Sequence, residues 1–234
     1  MQKVKFEDLG LIPYKKAWEY QTEVHRQLID RKLEARKNKE ILTAPVHRLL
    51  FCEHPPVYTL GKSGSESNIL LDEKALKEEG FEYFKINRGG DITYHGPGQI
   101  VGYPVFDLDF FFNDVHQYVR FLEEAIIRTL QYYDIEAYRI KEYTGVWLPE
   151  KGFLPKRKIC AIGVHLSRWV TLHGFAFNVH PKLNHFDNII PCGINDTDKA
   201  VTSLEKELNR PIDIEEVKGL VKRHLGELFG FELV

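Results

Sequence analysis

The sequence predicts an α+β protein: one domain with a mixed, largely antiparallel sheet flanked by helices. Two observations carry this. Helical and strand-like periods are interleaved without the regular strand–helix alternation of a doubly wound sheet. Several strand-like runs are joined by connections short enough to be hairpins. The 234 residues are enough for a single domain with a sizeable core.

Taken in order, Ala17, Gln21, Val24 and Leu28 fall at helical spacing, and Pro13 suits a first helical turn, so a helix is expected from Pro13 to Lys37. Its end, Arg31 to Lys39, is charged and reads as solvated. Apolar runs at His47–Cys52 and Val57–Leu60 read as strands broken by Pro55-Pro56. A polar loop over Gly61–Asn68 and a short helix over Asp72–Glu79 follow, then a strand over Phe81–Asn87. A glycine-rich loop leads to a strand at Ile100–Phe106. Asp114 is placed to cap a helix whose stripe is Val115, Tyr118, Val119, Leu122, Ile126, Leu130 and Tyr133. Strands are expected at Tyr143–Leu148, Lys158–Leu166 and Trp169–Val179, with Ser167-Arg168 as a hairpin turn. After a loop-rich stretch from His180 to Thr197, Asp213 opens a last helix that ends near Gly230.

Composition excludes several classes. Hydrophobic residues at 43% and charged residues at 28% are those of a globular chain rather than a disordered one. A formal net charge of −2 speaks against a generally basic nucleic-acid binder. No apolar run approaches the ~20 residues of a membrane span, and the first residues lack a signal peptide's apolar stretch, so a cytoplasmic protein that binds neither membrane nor nucleic acid is expected. The three cysteines, Cys52, Cys160 and Cys192, lie too far apart for a CxxC clip and form no disulfide framework.

The most informative segment is Arg88-Gly89-Gly90-Asp91-Ile92-Thr93-Tyr94-His95-Gly96-Pro97-Gly98-Gln99. Its glycines allow close backbone approach, and Gly-Pro-Gly cannot continue a helix or a central strand, so a loop of exposed N–H groups is expected. A tight hairpin with a solvated arginine is the plain alternative. Against it, Phe84, Ile86 and Arg88 share one strand face, which points Arg88 inward, where a guanidinium needs a ligand or a carboxylate.

Among the cysteines, Cys52 and Cys160 sit in strand patterns that read as core. Cys192, between Pro191 and Gly193 in a loop, does not. Cysteine is the natural nucleophile, since part of it is thiolate at neutral pH and a nearby cation raises that fraction. Lys158 begins a face that continues as Cys160, Ile162, Val164 and Leu166. It reads as part of a basic loop, snorkelling outward, or as held beside an anion.

The glycine segment resembles the RGGxxTYHGPGQ motif of the lipoyl(octanoyl)transferases, relatives of the biotin and lipoate protein ligases. Lys158-Ile159-Cys160-Ala161-Ile162-Gly163 resembles that family's lysine strand and Pro191-Cys192-Gly193 its cysteine turn, in the same order along the chain. Tyr58-Thr59-Leu60-Gly61-Lys62 and Asn68-Ile69-Leu70 also fit, so the resemblance runs from about Leu49 to Leu204.

The resemblance implies a biotin/lipoate protein ligase-like fold and an acyltransferase. Cys192 would be the acyl-thioester nucleophile and Lys158 its partner. Arg88, Gly89, Gly90, Asp91, Ile92, Thr93, Tyr94 and His95 would bind substrate, and backbone N–H groups of that loop would meet a developing oxyanion. Ala161, Ile162 and Gly163 with Gly174, Phe175 and Ala176 would wall an acyl slot, although small residues in strands also serve packing. His95 could orient the loop or help proton transfer. The implied donor is an octanoyl-acyl-carrier protein. The implied acceptors are lipoyl domains of 2-oxoacid dehydrogenases and the glycine cleavage H protein, and no cofactor is called for.

Other readings fail on what is missing. Gly61-Lys62-Ser63 lacks the first glycine of a phosphate loop, since position 56 is Pro56. Ten histidines include no HExxH, which leaves a metal site without a ligand pattern. An ATP-dependent lipoate or biotin ligase is the alternative within the same fold. The loop ends His95-Gly96-Pro97-Gly98-Gln99, whereas lipoate ligases have an HDxGN-like ending, and adenylate chemistry gives Cys192 no role. A binding module that only docks acyl carriers would form no covalent adduct.

Overall fold

A computed structural model describes residues 1–190 and 199–234. The elements are β1 (Gln2–Leu11), α1 (Tyr14–Asn38), β2 (His47–Glu53), β3 (Val57–Leu60), α2 (Glu73–Glu78), β4 (Glu82–Lys85), β5 (Ile92–His95) and β6 (Gln99–Val105). They continue as α3 (Val115–Tyr132), β7 (Tyr138–Ile140), β8 (Tyr143–Leu148), β9 (Lys156–Ser167), β10 (Val170–Asn178), β11 (Lys199–Val201), α4 (Leu204–Leu208), α5 (Ile214–Phe229) and β12 (Phe231–Leu233).

Among the described residues, nine strands form a mixed sheet in the order β12-β1-β2-β6-β10-β9-β8-β7, with β11 beside the start of β9. Its centre is antiparallel, while β1 pairs in parallel with both β2 and β12. The α+β expectation therefore holds. Strand β2 shows why helices cover both faces: Leu49 and Phe51 join the core under α3 and α5, while Leu50 and Cys52 join the core under α1. A second, three-stranded sheet, β4-β3-β5, has its own apolar cluster, in which Tyr58, Leu60, Ile92 and Tyr94 pack with Leu76 of α2.

The expected helices form where their signals lie. Asp114 accepts a hydrogen bond from the Gln117 N–H at 3.0 Å, Asp72 one from Ala75 at 2.8 Å, and Asp213 one from Glu215 at 2.9 Å.

Two expectations need correction. Ile92–His95 is not loop but strand, paired with β3 from Ile92↔Leu60 to His95↔Val57 and buried at Ile92, Tyr94 and His95. The alternation Ile92, Tyr94 is the strand signal, and the flanking glycines masked it. The β9–β10 turn is Arg168-Trp169, one residue later than expected, because Ser167 pairs with Val170 and both turn residues take positive φ, 49° and 64°. Strand β1 was not foreseen: its charged, half-exposed sequence is held by partners from distant parts of the chain. No helix among the described residues is long and apolar enough to cross a membrane.

Candidate active site

The connection from β4 to β5 lies across β9, and the contact is tight. The Gly89 N–H donates to the Val164 carbonyl at 2.9 Å. A side chain on Gly163 would come within 2.7 Å of the Gly89 carbonyl oxygen and 3.1 Å of Arg88 Cδ. A Cβ on Gly61 would meet the Gly90 carbonyl oxygen at 2.3 Å, where residues 61–63 run along the same segment. Glycine at these positions is what lets three backbones meet.

Beneath this bridge lies a cavity of about 480 Å³, within the size range of small-molecule sites. Its walls include Arg88, Gly89, Gly90, Asp91, Ile92, Thr93 and His95 from the glycine-rich segment. Lys158, Ala161, Ile162 and Gly163 of β9 and Gly174, Phe175 and Ala176 of β10 complete them. The register explains the gathering, since Ala161 faces Ala176, Ile162 faces Phe175 and Gly163 faces Gly174 across the β9–β10 ladder.

Among the described residues, one expected residue does not join the wall. Tyr94 points away into the small-sheet cluster, its hydroxyl 2.8 Å from His185 Nδ1. Cys192 lies outside the described residues. The two alanines shape the space, but the two glycines open none of their own. The Cβ position of Gly163 is filled by the Arg88–Gly89 bridge, and that of Gly174 lies 2.0 Å from the Gly102 carbonyl oxygen. Nor are all the segment's N–H groups available to an oxyanion, because that of Gly89 is bonded to Val164 and that of Ile92 to the Asp91 carboxylate at 2.6 Å.

Lys158 is half-buried near the start of β9, with β8 on one side and β11 on the other. Its Nζ lies 4.7 Å from the ring centroid of Trp147, its cross-strand partner. The described residues flanking the cysteine segment are anchored. Ile69 bridges Ile189 and the Ile190 N–H donates to Asn68 at 2.8 Å, while on the other side β11 pairs with β9 and the Thr202 N–H donates to the Lys158 carbonyl at 3.0 Å.

Elsewhere around the cavity the polar groups are bonded to one another. The Arg88 guanidinium donates to the Thr59 carbonyl at 2.6 Å, to the Thr59 hydroxyl at 3.1 Å and to the Gly89 carbonyl at 2.9 Å. The buried arginine is thus held by oxygens of the backbone and a hydroxyl. The Thr59 hydroxyl, having accepted from Arg88, has its proton left for His95 Nε2 at 3.4 Å. The Gln99 amide nitrogen donates to the Tyr94 carbonyl at 3.1 Å and to Asn178 Oδ1 at 2.9 Å, which turns Gln99 Oε1 toward His95 Nδ1 at 3.3 Å. Asn178 in turn donates to the Thr202 carbonyl at 2.9 Å. His95 is therefore neutral, with its proton on Nδ1 and its lone pair occupied.

Burial, then the neighbouring His54 and Arg88, hold the His95 pKa well below the ordinary histidine value. Burial also lowers His54 to about 4, and burial followed by the Arg88 charge lowers His173 to about 3. His54 Nδ1 must donate to the Ile12 carbonyl at 2.8 Å, so its Nε2 accepts from the Tyr103 hydroxyl at 2.8 Å. Burial raises the thiol pKa of both Cys52 and Cys160, the behaviour of core cysteines. Residues that sequence reasoning did not foresee in this lining include Tyr14, Tyr103, His173 and Asn178. Their signal was only that a polar group recurs among apolar ones.

A cavity roofed by a glycine-rich bridge on a mixed sheet, with a lysine at one end, defines a class. The chain belongs to the lipoyl protein ligase A/B catalytic domain family, which it matches over residues 13–226. Within that class it is 55% identical over 227 residues to an octanoyltransferase of Cytophaga hutchinsonii, covering 97% of this chain and 92% of that one. It is 53% identical over 234 residues to one of Flavobacterium johnsoniae, covering 100% and 99%. The fold is similar to a bi-partite lipoate protein ligase from Thermoplasma acidophilum, with a TM-score of 0.71 at 16% identity over 100% of this chain and 86% of that one. It is also similar to a biotin protein ligase from Aquifex aeolicus, at 0.53 and 14% identity over 98% and 71%.

Proposed function

We propose that the chain is an octanoyltransferase acting as one catalytic domain over residues 1–234, which moves an octanoyl group from an octanoyl-acyl-carrier protein to a lysine of a lipoyl domain. The observation that carries this reading is the full-length identity of more than half to octanoyltransferases, joined to a cavity whose walls are the family-like segments. The acceptors would be lipoyl domains of 2-oxoacid dehydrogenases and the glycine cleavage H protein.

The Cys192 thiolate attacks the donor's thioester carbonyl, a new C–S bond forms, the carrier's C–S bond breaks, and the Lys158 ammonium protonates the departing carrier thiolate. In the second half, the acceptor lysine's amine attacks the acyl-enzyme, neutral Lys158 takes the proton released as the amide forms, and Cys192 leaves as thiolate. Thioester exchange is close to balanced and amide formation is downhill, so neither half calls for ATP. The similarity to lipoate and biotin protein ligases lies at 14–16% identity and concerns the fold alone.

The test is intact-protein mass spectrometry after mixing with octanoyl carrier protein, alongside Cys192→Ser and Lys158→Ala. An octanoyl adduct on the wild type that hydroxylamine removes, absent in Cys192→Ser, is the expected result. An adduct that persists in Cys192→Ser, or turnover without any adduct, overturns the thioester route.

A further inference from the structure

Lys158 enters the sheet at a fault in the ladder. The β8–β9 register slips between Val146, opposite Cys160, and Trp147, opposite Lys158. Gly145 sits just before the slip with φ +126°, and a Cβ there would meet the Cys160 carbonyl oxygen at 2.4 Å. Its N–H is held by the buried Glu123 carboxylate at 3.0 Å. The slip puts the Trp147 indole beside the lysine as its cross-strand neighbour, and the indole is itself fixed, being buried and donating through Nε1–H to the Tyr143 carbonyl at 3.0 Å. Alongside its other contacts, Lys158 therefore has its ammonium 4.7 Å from an aromatic face that cannot turn away. Such a face attracts a cation and does little for a neutral amine.

We propose that Trp147 is a positioning residue for Lys158, its indole face holding the lysine charged and in place at the end of the cavity during acylation. The proposal rests on the role given to Lys158 above. Among the described residues, the titratable and charged groups on the surrounding elements are Glu142 and Tyr143 by β8, Tyr138 on β7, Lys156 and Arg157 on β9, Lys199 on β11 (its Nζ 4.9 Å from the Tyr143 ring), and Cys160 with Glu123. They set the electrostatic background. Among the described residues, the indole is the aromatic face against the Lys158 ammonium, which makes its share separable.

The separating experiment replaces Trp18 and Trp169 by Phe, so that the remaining tryptophan of the three is Trp147, and incorporates mono-, di- and trifluorotryptophan. Fluorine drains the π face with little change of size. The rate of octanoyl-adduct formation is expected to fall stepwise along the series, to about tenfold overall, as one cation–π contact implies. The alkaline limb of its pH profile should move to lower pH, because an ammonium less stabilised loses its proton sooner. Trp147→Phe should retain more of the rate than Trp147→Leu. A flat fluorine series, or equal rates in the Phe and Leu variants, overturns the proposal while leaving the lysine's role intact if Lys158→Ala still abolishes the adduct. An undiminished adduct in Lys158→Ala overturns both.

Discussion

Two sets of polar residues around the cavity behave in opposite ways. Around Arg88, His54, His95 and His173 every group is buried, and the histidines lie far from their ordinary protonation range. Around Lys158 the side chain is half-exposed, faces an aromatic ring, and lies between β8 and β11. Titratable side chains in a cavity wall are therefore no guide by themselves to where protons move. A histidine whose lone pair is already occupied is held neutral, whereas the proposed role of Lys158 needs a lysine that keeps its proton in play.

The largest effect that sharpens this contrast is kinetic. Lys158→Ala should lower the acylation rate by roughly 10²–10⁴-fold, the usual reach of a positioned acid or base. His95→Gln should instead lower stability and leave the acid limb of the acylation pH profile in place. Single-turnover acylation across pH would break the comparison if the His95 variant lost that limb.

Next in size is the pH dependence of stability. The folded-state values of His54 and His173, about 4 and about 3, lie below the ordinary 6.5. Between those limits the unfolded chain binds more protons than the folded one. Stability is therefore complete above about pH 6.5 and is lost as pH falls, by about 1.4 kcal/mol per pH unit for each such histidine. Urea unfolding at pH 7 and pH 5 should show a loss of several kcal/mol, smaller in His54→Gln. A flat profile would mean that these histidines are not locked neutral.

Arg88→Lys keeps the charge but not the fork that serves both oxygens of Thr59 and the Gly89 carbonyl. It should cost about 3 kcal/mol in unfolding, since charge-assisted bonds are lost and buried acceptors are left unpaired.

Much of this was legible in the sequence because local signals and global fold agree there. Asp72, Asp114 and Asp213 cap the helices they precede, and Arg88 is buried on the face that Ile86 predicted. The misses have a common cause. Strand β1, the Gly145 fault and the Thr59–His95–Gln99–Asn178 chain each depend on residues far apart in sequence, which no local period records. Gly163 and Gly174 do line the cavity, yet a Cβ on either would meet another backbone rather than open space. A glycine in a strand shows that something comes close, and only the fold says what it is.

That lesson supplies the smallest and most discriminating prediction, Gly163→Ala. If the glycine opened a slot for the acyl chain, one methyl would shorten the slot and act mainly on long chains. The geometry instead puts the methyl 2.7 Å from the Gly89 carbonyl oxygen, with Arg88 Cδ at 3.1 Å. The backbone oxygen cannot swing aside as a side chain could, so the bridge itself must lift and the Gly89–Val164 hydrogen bond must lengthen. The expected cost is about 1–3 kcal/mol of stability, as for other overpacked sites. KM for the acyl donor should rise similarly for hexanoyl, octanoyl and decanoyl chains, because the wall is displaced rather than indented. A penalty confined to the longer chains, with stability unchanged, would return Gly163 to the acyl slot and show that the bridge is looser than its contacts imply.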